Sequence, residues 1–84
     1  MGNPAHPTDA AIANALLDLA LRRGRDKTFC PSEAARTLSP DWRPLMPRIR
    51  AVAATHPDLQ AVQKGHPVDP ATTRGPIRLR LRQS

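Results

Sequence analysis

Four arginines, Arg74, Arg78, Arg80 and Arg82, stand close together near the end of the sequence with no acid between them. A guanidinium is planar, always charged and shaped to meet two phosphate oxygens at once, which an ammonium is not. If residues 76–82 are extended, Arg78, Arg80 and Arg82 share one face at intervals of about 6.6 Å. That is close to the spacing of successive phosphates along a nucleic-acid strand. Binding of this kind works by counterion release, so it depends on salt and tolerates sequence changes. The same charges also keep an exposed strand from pairing with another chain, and both readings stand at this level. A second group, Arg43, Arg48 and Arg50, lies on a segment of helical periodicity whose outer face is otherwise Pro44, Pro47, Ala51, Ala54 and Thr55. Direct base reading favours Asn, Gln, Arg or Lys aimed at base edges. This segment has no Asn or Gln, so the expectation is phosphate contact with weak sequence discrimination, or else a solvated or protein-facing surface.

Other reactive types are sparse. Cys30 precedes a helix start, with Lys27 nearby, a setting that favours thiolate formation. His6, His56 and His66 are scattered, so no base is paired with the thiol by spacing, and a lone cysteine more often packs as a small hydrophobe. One Cys and three dispersed His have no metal-ligand spacing. No grouping of nucleophile, base and acid is visible, so an enzyme is not expected, and neither a metal nor a cofactor is implied. The only aromatics are Trp42 and Phe29, both at inner positions, so stacked bases lack a platform. The stretch from Asp69 to Gly75 reads as turn chemistry, with Asp69 accepting a backbone N–H two residues on and within reach of Arg74.

The elements that must position these residues are legible from period and caps. Residues 1–7, with Gly2, Pro4 and Pro7, read as a flexible leader, and residues 8–82 as one domain. Thr8 caps a first helix to Arg23, with Ile12, Ala13, Leu16, Leu19 and Ala20 inward and Gly24 closing it. Residues 24–27 form a turn. Thr28 and Phe29 are a short extended piece, since the residue before a proline avoids the helical region. Pro31 opens a second helix with Ala34, Ala35 and Leu38 on its inner side, and Ser39-Pro40 ends it. Asp41 is placed to cap a third helix, or to pair with Arg43 or Arg48. Around Ile49, the residues Trp42, Leu45, Met46, Val52, Ala53 and His56 make one stripe, while Pro47 predicts a kink or a delayed start. Leu59 to Lys64 alternates apolar and polar, as do Pro76 to Arg82, with Ile77, Leu79 and Leu81 inward. Residues 65–75 read as one long loop. A two-stranded ribbon needs the helices to lie on, and the order of elements predicts an α+β winged helix: a three-helix helix-turn-helix core with a C-terminal β-hairpin wing.

Four blocks then resemble a known family. Cys30 to Arg36 (CPSEAAR), Asp41 to Arg50 (DWRPLMPRIR), Gln63 to Pro70 (QKGHPVDP) and Arg74 to Arg80 (RGPIRLR) stand in the order seen in a family of small bacterial proteins of unknown function. The resemblance runs from about Ile12 to Leu81. It implies a winged-helix fold and no particular activity. Where that family usually has a glycine between the third helix and the next strand, this sequence has Thr55-His56-Pro57-Asp58.

Composition sets the outer limits. With 84 residues there is room for a single domain with a thin core, so a shallow surface is expected rather than a substrate pocket. Lys and Arg number 13 against 7 acids, a formal charge of +6. All but Lys27 and Lys64 of those cations are arginine, which also suits a GC-rich genome. A single cysteine allows no internal disulfide and fits a reducing compartment. No apolar run approaches the roughly 20 residues of a membrane span, and residues 1–7 lack the pattern of a signal peptide, so the expected location is cytoplasmic. Two readings follow. One is a protein that grips DNA phosphates through Arg43, Arg48, Arg50, Arg74, Arg78, Arg80 and Arg82. The other is a protein-interaction module on the same fold, with the arginines serving solubility or an acidic partner; Leu21, with Leu17 at its margin, offers together with the wing a partner or dimer face.

Overall fold

In the computed structural model, which describes residues 7–82, Thr8 sets up the first helix. Its backbone is extended, and its hydroxyl accepts the Ala11 N–H at 3.1 Å, filling one of the open donors of a helix start. Helix α1 (Asp9–Arg23) follows, with Asp9 in its first turn and Arg22 and Arg23 in its last, as the helix dipole favours. Ile12, Leu16 and Ala20 form its buried stripe. It stops at Gly24, whose φ of 97° lies where only glycine is comfortable. The leader expected over 1–7 falls, apart from Pro7, outside the described residues.

Helix α2 (Pro31–Leu38) starts on a proline, which loses nothing at a position with no intrahelical donor role. Glu33 closes back on the helix start, one carboxylate oxygen accepting the Cys30 N–H at 2.9 Å. Its other oxygen meets the guanidinium of Arg23. One side chain therefore caps α2 and ties it to the end of α1.

Asp41 does not cap the third helix. Its N–H donates to the Ser39 hydroxyl at 3.2 Å, and a single 3-10 turn, Arg43–Leu45, comes first. Helix α3 (Met46–Thr55) begins only at Met46, with Pro47 in its first turn. The delay anticipated from Pro47 is the way the chain keeps a proline out of a helix interior. Leu45, Ile49 and Ala53 are buried, and Trp42, Met46 and Val52 pack around them.

Three antiparallel strands complete the domain: β1 (Leu59–Gln63), β2 (His66–Val68) and β3 (Arg78–Leu81), in the order β2-β1-β3. The long loop expected over 65–75 is thus partly a strand. Lys64 and Gly65, with φ of 52° and 81°, make a two-residue turn between β1 and β2 whose backbone twist suits a hairpin. Pro67 is tolerated in β2 because that strand lies at the sheet edge. Beyond the other edge, Phe29 bridges Leu79 through two backbone hydrogen bonds of 2.8 Å each. The expected extended piece between α1 and α2 thereby joins the sheet as a single bridge.

The inner face of the sheet carries Leu59, Ala61 and Leu79, and with Ile77 and Phe29 it closes the core against the three helices. The outer face pairs Gln60 with Arg80 and Val62 with Arg78. Three helices and a small antiparallel sheet in this order make an α+β domain of winged-helix-like build. No described helix is long and apolar enough to cross a membrane.

Candidate nucleic-acid interface

The seven arginines singled out by sequence lie on the 3-10 turn before α3, on α3, on the loop before β3, and on β3 with its C-terminal neighbour. Their surroundings differ in ways that spacing alone did not reveal. Arg48 faces α1 and pairs with Asp9 at 2.6 Å. The pairing of Asp41 with Arg43 or Arg48 is therefore not formed; the 3-10 turn carries Asp41 away, and Asp9 takes its place. Arg50 leans the other way, and its guanidinium donates to the Gly75 carbonyl at 2.7 Å, which links α3 to the loop before β3. Arg43 sits with its guanidinium 4.7 Å from the centre of the Trp42 ring, and Arg36 lies 4.8 Å from the same ring. Each such contact holds a long side chain over an aromatic face at a gain of about 0.5–1 kcal/mol.

The loop that presents Arg74 is built from its own side chains. Asp69 accepts the Ala71 N–H at 2.9 Å, as the turn chemistry predicted. It makes no ion pair with Arg74. The loop instead folds under Gln63 of β1, whose amide donates to the carbonyls of Arg74 at 2.8 Å and Pro76 at 3.1 Å. That arrangement leaves the Arg74 side chain exposed. Gly75 turns the chain between these two anchors with φ of 86°.

On β3 the expected even row of guanidinium heads is not what forms. Arg78 bends sideways and donates to the Thr28 hydroxyl at 2.7 Å and to its carbonyl at 3.1 Å. Arg82 lies just past the strand end and folds back over β1, donating to the carbonyls of Pro57 and Leu59 and to the Gln60 side chain at 3.0–3.1 Å. Arg80 stays between them on the outer face; its Nε is buried and has no hydrogen-bond partner among the described residues. The physical reason for the departure is that strand ends leave carbonyls open, and a guanidinium offers many donors to fill them.

These bonds fix the charges without cancelling them, because carbonyl and hydroxyl acceptors are neutral. Among the described residues, the carboxylate pairs are Arg22 with Asp18, Arg23 with Glu33, and Arg48 with Asp9. Six of the seven arginines, all but Arg48, thus have no acid against them. A side chain already held in place loses little entropy when it meets an anion. Lys64, at the β1–β2 turn, adds a cation on the same side of the sheet as Arg78 and Arg80, lining one groove with them. The sequence reading left Lys64 out of the set. Its position at the end of an alternating strand, on the face shared by Gln60 and Val62, was the signal.

Cys30 is the residue before α2, with its sulfur 3.0 Å from the Ser32 hydroxyl. Among the described residues no cluster of three or more His, Cys, Asp or Glu side chains is arranged to hold a metal ion.

Fold and surface together define a small α+β domain whose cations on α3 and the sheet are mostly unneutralised. The chain belongs to the family described as Protein of unknown function (DUF3253), whose model matches residues 9–82. The match takes in every helix and strand, and all seven arginines. No curated protein matches the chain.

Proposed function

We propose that this protein binds duplex DNA through its phosphates, with weak sequence discrimination, as a winged helix with α3 toward the groove and the hairpin toward the backbone. The observation that carries this reading is that, among the described residues, Arg43, Arg50, Arg74, Arg78, Arg80 and Arg82 lack carboxylate partners, whereas Arg22 and Arg23 of α1 have them. Arg50, Arg78 and Arg82 are held on neutral acceptors, so their charge stays open to an anion at little further entropic cost. The outer face of α3, with exposed Pro47, Ala51, Ala54 and Thr55, allows close approach but offers no amide side chain for reading adenine. The four sequence blocks that resemble a winged-helix family add support, by analogy of fold. The test is a fluorescence-anisotropy titration of unrelated random duplexes at low salt. Micromolar binding, within about threefold among sequences, is expected for contact made mainly with phosphates. Absence of binding at low salt overturns the reading.

A second reading has its own observation. Leu21 on α1 is 61% exposed, and with Leu17, Pro57 and Leu81 it lines an apolar groove bordered by Arg25, Arg82 and Asp58. Such a groove suits an apolar segment of a partner protein that carries carboxylates for the two arginines. Selection of binding peptides from a random library decides it: acid-bearing apolar peptides that lose binding to Leu21→Glu support it, and no such enrichment refutes it.

A further inference from the structure

The outer face of the sheet is not a flat surface. Beside β3 it sinks into a groove of about 640 Å³ lined by Lys64, Arg78 and Arg80 together with Thr28 and Cys30. No carboxylate among the described residues lines it. Val62 forms its floor and is only 8% exposed, although it points away from the core. Two features single this groove out from the rest of the basic surface. First, Arg78 is fixed at its rim by two hydrogen bonds to Thr28, so one cation is held in place before anything binds. Second, the Arg80 Nε is buried and has no hydrogen-bond partner among the described residues, which leaves a charged donor group without full compensation. A buried donor left unmade is costly, and an anion entering beside it would strengthen every contact that the low local polarity leaves weakly screened.

We propose that this groove is a seat for a single phosphate group, with Arg80 as its main contact, Arg78 next to it along β3 and Lys64 beyond Arg78 at the turn end. The chemistry is the same whether the phosphate belongs to a nucleic-acid backbone or to a small free anion such as a pyrophosphate-bearing compound. In the first case the seat deepens the proposed function, by naming the place on the sheet where the strand is gripped, and it rests on that reading. In the second case it stands apart from it. Arg is better suited than Lys as the main contact, since two parallel N–H bonds to one phosphate need the planar fork. Lys64 closes the site from a turn position with φ of 52°, so the hairpin turn and the cation come as one unit.

The test uses the full chain and two probes, inorganic pyrophosphate and a random DNA duplex, at matched ionic strength. Amide shifts by NMR are followed during pyrophosphate titration, and anisotropy is followed for the duplex. The variants are Arg80→Gln and Lys64→Asn, the latter chosen because Asn accepts positive φ. Arg22→Gln, an exposed arginine paired with Asp18, removes the same charge elsewhere and serves as control. Circular dichroism establishes that each variant is folded. The expected result is pyrophosphate shifts confined to residues 62–66 and 78–80, together with at least fivefold weaker binding in Arg80→Gln and Lys64→Asn but not in Arg22→Gln. On duplex DNA, Arg80→Gln is expected to lower the salt dependence by about one phosphate contact, a slope change of about 0.9. Pyrophosphate binding with no duplex binding supports the seat while removing the proposed DNA function. Duplex binding that depends on Arg80 more than on Arg22, with no pyrophosphate binding, supports the seat for backbone phosphate alone. Duplex binding to which Arg80→Gln and Arg22→Gln contribute equally, with pyrophosphate shifts absent or spread over all arginines, overturns the seat and leaves the DNA function standing. Binding of neither probe overturns both.

Discussion

Truncating Phe29 should test the joint on which the whole sheet hangs. Phe29 is fully buried and is the one phenylalanine in the chain. Its backbone makes both hydrogen bonds to Leu79, and its side chain lies among the residues shared by helices and sheet. A buried Phe→Ala change costs about 3–5 kcal/mol, as lost transfer energy plus the cavity left behind. Against this stands the total stability of an 84-residue domain, roughly 4–13 kcal/mol at ordinary values per residue. Phe29→Ala should therefore consume between a quarter and all of the stability, whereas Phe29→Leu keeps most of the volume and costs about 1–1.5 kcal/mol. In a domain of this size each kcal/mol moves Tm by about 4–8 °C, so Phe29→Leu should melt roughly 5–10 °C lower. Urea unfolding followed by Trp42 fluorescence, with circular dichroism as a second probe, measures both. If Phe29→Ala loses less than about 1 kcal/mol with an unchanged m value, the Phe29 side chain does not hold helices and sheet together.

The remaining tests address local devices. Glu33→Ala removes the Cys30 N–H cap and the Arg23 pair together, and should cost about 1–2 kcal/mol in urea unfolding, most of it from the cap because the ion pair is partly exposed. Gly75→Ala should cost about 1–2 kcal/mol through its positive φ; an unchanged midpoint would show that the loop relaxes freely about Gln63. Arg82→Ala and Arg82→Lys should both lower stability by about 1 kcal/mol, because neither can replace the contacts to Pro57, Leu59 and Gln60. If Arg82→Lys melts like the parent, the contacts contribute nothing and only the charge matters.

The helices were legible in the sequence because their signals are local. Thr8, the repeat from Ile12 to Ala20, and Gly24 bound α1 within a residue, and Pro31 with Glu33 announces α2. The start of α3 was less legible. Asp41 is a good cap by type, but Pro44 and Pro47 force a 3-10 turn first, so the cap position moves past it. Strand β2 was missed because its turn, Lys64-Gly65, lacks the Asn-Gly or Asp-Gly that marks a two-residue hairpin, and because Pro67 argues against a strand until its edge position is known. At the candidate site, sequence identified which residues carry the charge. It could not identify what each guanidinium touches: Arg50 meets Gly75, Arg78 meets Thr28, and Arg48 meets Asp9, partners 25 to 50 residues away in sequence. Only the fold makes those neighbours, and it turns an imagined even ladder into a set of fixed, separately oriented charges.

Whether the arginines without acid partners meet phosphates is read most directly from the salt dependence of duplex binding. If all six contact phosphate, the plot of log affinity against log salt should have a slope of about −5. Arg43→Ala, Arg74→Ala and Arg80→Gln combined leave the carbonyl-bound Arg50, Arg78 and Arg82 in place, and should bring the slope to about −3. A slope that stays within about 0.5 of the parent value on losing those three charges, or a parent that shows no salt-dependent binding at all, would show that these arginines do not meet phosphate.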